Sequence, residues 1–212
     1  MSRSWQYLNA RFKRTQDRLD MKSFFVSGKL LFLAVFLWAS MAQATTVINV
    51  PLEQMAKEST VIVHGRVEAQ QVVQEAGSDR ILTLTAVEVL TEVKGLKKND
   101  IVTIYQVGGT LDGQTLHVSG ALKFRQGEEF ILFGVRFRDM IVSYGMGLGK
   151  YMVMKHSGDT FVLPEFGDVH RVEPDGKGGY QSANHKFPDP ETLDSFIERV
   201  RALSVRAAGG TK

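Results

Sequence analysis

Apolar residues run unbroken from Leu30 to Trp38, behind Lys22 and Lys29, and give way to the small-residue tail Ala39-Ser40-Met41-Ala42-Gln43-Ala44. A charged start, a short apolar core and an A-x-A ending are what a signal peptidase reads. The pattern predicts a signal peptide over residues 21–44, cleaved after Ala44 to leave Thr45 at the mature N-terminus. A membrane-spanning helix needs about 20 apolar residues, and the stretch from Leu30 to Ala44 is shorter and includes Ser40 and Gln43. Residues 1–20 read as an N-terminal extension, or as sequence ahead of a true start at Met21.

After the leader the period changes. Thr45–Val50 is β-prone, and Pro51–Glu58 reads as one or two helical turns with Leu52, Met55 and Ala56 on one face. Thr60–Glu68 starts apolar and settles into alternation, as expected of a strand buried on both faces at its start. Arg80–Val93 is a long β-rich run of the kind that must bend, as in a barrel. Ile101–Val107, Phe130–Val135, Met140–Tyr144, Lys150–Met154 and Phe161–Leu163 continue the β signal. Gly145, Gly147 and Gly149 alternate, which predicts a strand with one face cleared by glycine.

Two stretches are irregular: Gly108–Gly120, and the polar segment 167–188, which reads as a loop or hairpin. At the end, Asp189 suits an N-cap and Pro190 a first helical position. Leu193, Phe196, Ile197, Val200 and Leu203 then form the apolar stripe of an amphipathic helix over 189–206, packed on the strands. Residues 207–212 form a loose tail. Five or six strands with helices only at the two ends argue for one small barrel or sandwich spanning 45–166.

Charge changes the picture once the leader is set aside. The whole chain has 26 lysines and arginines against 23 acids; removing the seven basic and two acidic residues of 1–44 leaves 19 and 21. A slightly acidic mature chain lacks the positive excess that dominates phosphate-backbone binding, which excludes nucleic acid as partner. Cysteine is absent, so disulfides, thiol chemistry, cysteine metal sites and a lipid anchor at the cleavage site go with it. The fold must hold by core burial, and no stable membrane anchor remains after cleavage.

The strand order carries a resemblance. Thr60-Val61-Ile62-Val63-His64-Gly65-Arg66-Val67, then Val87-Glu88-Val89-Leu90 running to Val93-Lys94-Gly95, Ile101–Tyr105, and Gly127-Glu128-Glu129 opening Phe130–Gly134 resemble the netrin-like OB barrel. That barrel is the inhibitory domain of the tissue inhibitors of metalloproteinases, and exported bacterial proteins of unassigned activity share the pattern. The resemblance covers about residues 46–155. It implies a mostly β fold, a five- to six-stranded OB-like barrel with a short N-terminal helix and a C-terminal amphipathic helix. It also implies a protease-inhibitor-like role with a zinc protease as partner. The animal inhibitors chelate zinc through a disulfide-pinned N-terminal cysteine, whereas Thr45-Thr46 stand at the corresponding end here.

No catalytic constellation emerges. His64, His117, His156, His170 and His185 fit no zinc-site spacing, so neither metal nor cofactor is implied. Asp112, His117 and Ser119 could be drawn as a triad, without the G-x-S-x-G elbow of a hydrolase. Gly145–Lys150 lacks the phosphate-loop spacing. The candidate binding surface is the glycine-rich loop, through Gly108, Gly109, Gly113 and Gly120, with Tyr105, Phe124 and Arg125 on its flanks and Thr45 and Thr46 at the processed end. The expectation is an exported, non-catalytic binding module for a protein partner or an extracellular polymer. An envelope structural or glycan-binding accessory and a hydrolase are the alternatives.

Overall fold

A computed structural model describes residues 45–166, 169–183 and 188–208. The expected leader and N-terminal extension lie outside the described residues, as do positions 209–212 of the expected tail.

In chain order the elements are β1 (Thr45–Ile48), α1 (Leu52–Glu58), β2 (Val61–Gln74), β3 (Ile81–Lys94), β4 (Ile101–Val107), β5 (Gly109–Leu111), β6 (Gln114–Leu116), β7 (Glu129–Phe137), β8 (Met140–Ser143), β9 (Lys150–His156), β10 (Asp159–Pro164), β11 (Val169–Pro174), β12 (Tyr180–Ser182), β13 (Glu191–Thr192) and α2 (Leu193–Ala208). The fold is mostly β, with a short helix near Thr45 and a longer one at the C-terminal end.

The main sheet runs β13-β10-β9-β7-β2-β3-β4-β8, and β8 also pairs with β7. The pairings β2–β3, β3–β4, β7–β8 and β2–β7 are antiparallel. β7–β9, β9–β10 and β10–β13 are antiparallel too, while the link between β4 and β8 is parallel and consists of Ile104 opposite Ile141. β1, β11 and β12 form a separate three-stranded sheet, and β5–β6 a hairpin of its own.

The alternation in β2 and β7 explains how these strands are buried twice over. Val61, Val63 and Val67 pack with Phe130, Leu132, Val87, Val89, Ile104 and Ile141 in one core. Their neighbours Ile62, Ile131 and Phe133 face the other way, where α1 and α2 cover them with Met55, Phe196, Ile197 and Val200. The apolar stripe of the C-terminal helix thus packs on the sheet, as its spacing predicts.

Several local expectations change. Met146–Gly149 is a 3₁₀ turn, not a glycine-cleared strand. The glycines are needed for close approach: a Cβ on Gly147 would stand 2.8 Å from the Gly120 carbonyl oxygen, and one on Gly149 2.7 Å from that of Tyr144. The C-terminal helix starts at Leu193 and not after Asp189, because Glu191 and Thr192 pair with Val162 and Phe161 of β10. The stretch Gly108–Gly120 contains the β5–β6 hairpin. Within 167–188, β11 and β12 pair as a hairpin, and β11 joins β1 in parallel.

Candidate functional site

With so short a β4–β8 link, the two strands part beyond Ile104 and leave a seam. The chain returning from β6 passes under it, and Val118, Gly120, Ala121 and Leu122 complete a cleft of about 230 Å³ with Tyr105, Val142 and Met146. Nearly every wall is apolar. Ser143 is spent, since its hydroxyl donates to the Met146 carbonyl at 2.5 Å and secures the 3₁₀ turn. Gln106 donates its amide N–H to the Leu122 carbonyl at 2.7 Å, which fixes the amide's orientation. Its Oε1 is buried and has no hydrogen-bond donor.

Outside the cleft the apolar surface continues. Tyr105 and Phe137 rings stand 6.1 Å apart, and the Arg138 guanidinium lies 5.3 Å from the Phe137 ring centroid. Ile101, Phe137 and Met146 are large hydrophobic residues left exposed at 65%, 47% and 46%.

The residues singled out in the sequence are divided among five places. Tyr105 and Gly120 meet in the seam cleft. Gly108 and Gly109 lead into the adjoining hairpin with φ of 111° and 137°, and Gly113 turns its tip at 79°. Phe124 enters the core, its ring 4.9 Å from Phe130, while Arg125 stays exposed at the turn before β7. Thr45 and Thr46 lie in β1, opposite Val169 and His170. Val118, Leu122, Val142 and Met146 were not singled out, because scattered apolar residues carry no motif; only the strand partings collect them.

Two titratable groups are built into the interior. The Lys150 ammonium is 1% exposed and lies 2.7 Å from Glu128 and 2.8 Å from Glu165. It also donates to the Lys123 carbonyl at 2.5 Å and sits 4.7 Å from the Phe124 ring centroid. Glu165 Oε2 has no hydrogen bond of proper geometry despite its distance, so that contact is coulombic. His64 places Nε2 3.0 Å from Glu129. Burial pushes its pKa below the ordinary histidine range, outweighing the pull of Glu129. The pair is therefore a neutral imidazole donating Nε2–H to a carboxylate, and not a salt bridge. Among the described residues no group of three or more His, Asp or Glu side chains could hold a metal ion, and no helix is long and apolar enough to cross a membrane. No protein-family model, curated protein or solved structure matches the chain.

Proposed function

We propose that the chain is an exported, non-catalytic binding module built on an OB-like barrel, and that it takes an apolar segment of a partner protein into the β4–β8 seam. The barrel reading is supported by the pairing circuit β2-β3-β4-β8-β7-β2. Five strands in a circuit with one parallel link between the third and fifth fit a small, partly open Greek-key barrel.

The observation that carries the binding reading is the apolar cleft at the β4–β8 seam, walled by Tyr105, Val118, Leu122, Val142 and Met146. Apolar walls favour side chains over the hydroxyl-covered faces of a glycan. Exposed Phe137, beside half-buried Tyr105, extends the patch beyond the cleft, as at protein-recognition sites. Lys150 and His64 meanwhile have protein partners of their own, which gives them a structural role in this reading. Protease inhibition through a free Thr45 amine is its narrower form, and the pairing of Thr45 with Val169 would give that end a fixed strand to stand on.

A photo-crosslinking side chain introduced at Tyr105, with the protein exported by its host, tests the reading. A discrete protein adduct is expected there and not from the same group at Lys155, exposed on β9. Equal adducts from both positions would overturn it.

A further inference from the structure

A second cleft, of about 340 Å³, lies where the end of β1 and the start of α1 meet β9, β10, β11 and α2. At one wall is Arg171, only 7% exposed. Its guanidinium stacks 3.4 Å from the Phe166 ring centroid and, among the described residues, makes one hydrogen bond, to Asn49 Oδ1 at 3.3 Å. No carboxylate among the described residues pairs with it. An arginine carries five N–H donors and stays charged in proteins. A cation taken this far out of water is costly unless an anion answers it; no described carboxylate answers this one, and it borders a cavity.

The remaining polar groups favour one kind of anion. Asn49 gives its carbonyl oxygen to Arg171, which leaves its amide N–H₂ as a donor. Tyr151 is packed between Phe133 and Phe196, at 5.6 and 5.0 Å between ring centroids. Its hydroxyl has no hydrogen bond to a described residue, and burial pushes its pKa up to about 12, so it remains an O–H donor at neutral pH. Glu191 is held by Arg199 at 2.6 Å, and their charges cancel. Asp189 stands exposed on the cleft's lining and disfavours a second negative charge. Leu52, Met55, Leu148 and Val162 supply apolar wall. The volume lies at the lower end of small-molecule sites, which begin near roughly 300 Å³.

We propose that this cleft binds a small monocarboxylate with an apolar chain, the carboxylate held by Arg171, Asn49 and the Tyr151 hydroxyl and the chain lying along Leu52, Met55 and Leu148. The site is separate from the seam and does not depend on it.

Calorimetric titration of the full chain with octanoate, octan-1-ol and sulfate tests this. Octanoate should bind saturably at one site, with octan-1-ol and sulfate at least about tenfold weaker, since a charge-assisted contact is lost with one and the apolar chain with the other. Arg171→Gln should bring octanoate down to the level of octan-1-ol. Asn49→Asp gives Arg171 an internal carboxylate, so it should abolish octanoate binding while keeping or raising the thermal midpoint, even if Arg171→Gln fails to fold. No saturation by about 10 mM octanoate, equal binding of octan-1-ol, or octanoate binding untouched by Asn49→Asp would each overturn the proposal.

Discussion

Lys150 and Glu128 meet at 2.7 Å, joining the first residue of β9 to the turn that leads into β7, with the ammonium almost wholly removed from water. Removing one member of such a pair leaves the other without compensation. Lys150→Met should therefore destabilise the fold by about 3 kcal/mol despite its similar length. Denaturant unfolding measures this, and a loss under about 1 kcal/mol would mean that Glu128 and Glu165 rehydrate freely.

His64 makes stability depend on pH. Its folded pKa lies below the ordinary 6.5, through burial first and Arg66 in a lesser part, with Glu129 and Asp194 pulling the other way. Above about pH 6.5 both folded and unfolded chains hold it neutral, and its contribution is complete. As pH falls from there towards the folded pKa, the unfolded state takes up a proton that the folded state refuses, and stability declines. Urea unfolding at pH 7.5 and 5.5 should show that decline, and His64→Gln should flatten it. An unchanged slope in the variant would place the dependence elsewhere.

Gly65 marks a close approach of β2 and β3. A Cβ there would meet Val87 Cγ1 at 2.5 Å and the Glu88 carbonyl oxygen at 2.7 Å, beside a register shift between His64 and Gly65. Backbone cannot yield cheaply, so Gly65→Ala should cost about 2 kcal/mol, read as a lowered thermal midpoint.

Phe124 and Tyr105 flank the same glycine-rich stretch but have opposite roles. Phe124 is 8% exposed and packs on Phe130 beneath the Lys150 ammonium. Phe124→Ala should lose about 3–4 kcal/mol of stability. Tyr105→Ala should change stability by less than about 1 kcal/mol yet remove the crosslinked partner. Chemical denaturation beside partner capture separates the two.

The sequence carried much of the fold because period and burial agreed. Apolar runs in β2 and β7 announced strands buried on both faces, and the 193–203 stripe announced a covering helix. It did not reveal β1–β11, whose strand Val169-His170-Arg171-Val172-Glu173 is too polar to stand out and finds its partner more than a hundred residues earlier. The glycine alternation at 145–149 misled, because close backbone approach produces the same signal in a strand or a turn. Tyr105 and Gly120 were legible as flanks of a permissive loop. Gln106 and Arg171 were not, since an unpaired donor or acceptor exists only after tertiary structure removes its alternatives.

The seam proposal is tested most directly with the partner segment recovered from the Tyr105 adduct, synthesised and titrated into isotopically labelled protein. Shift perturbations should centre on Tyr105, the Gln106 side-chain amide, Gly120, Leu122 and Met146. Perturbations confined to the Arg171 cleft or to β1, with the Gln106 amide unmoved, would contradict the account.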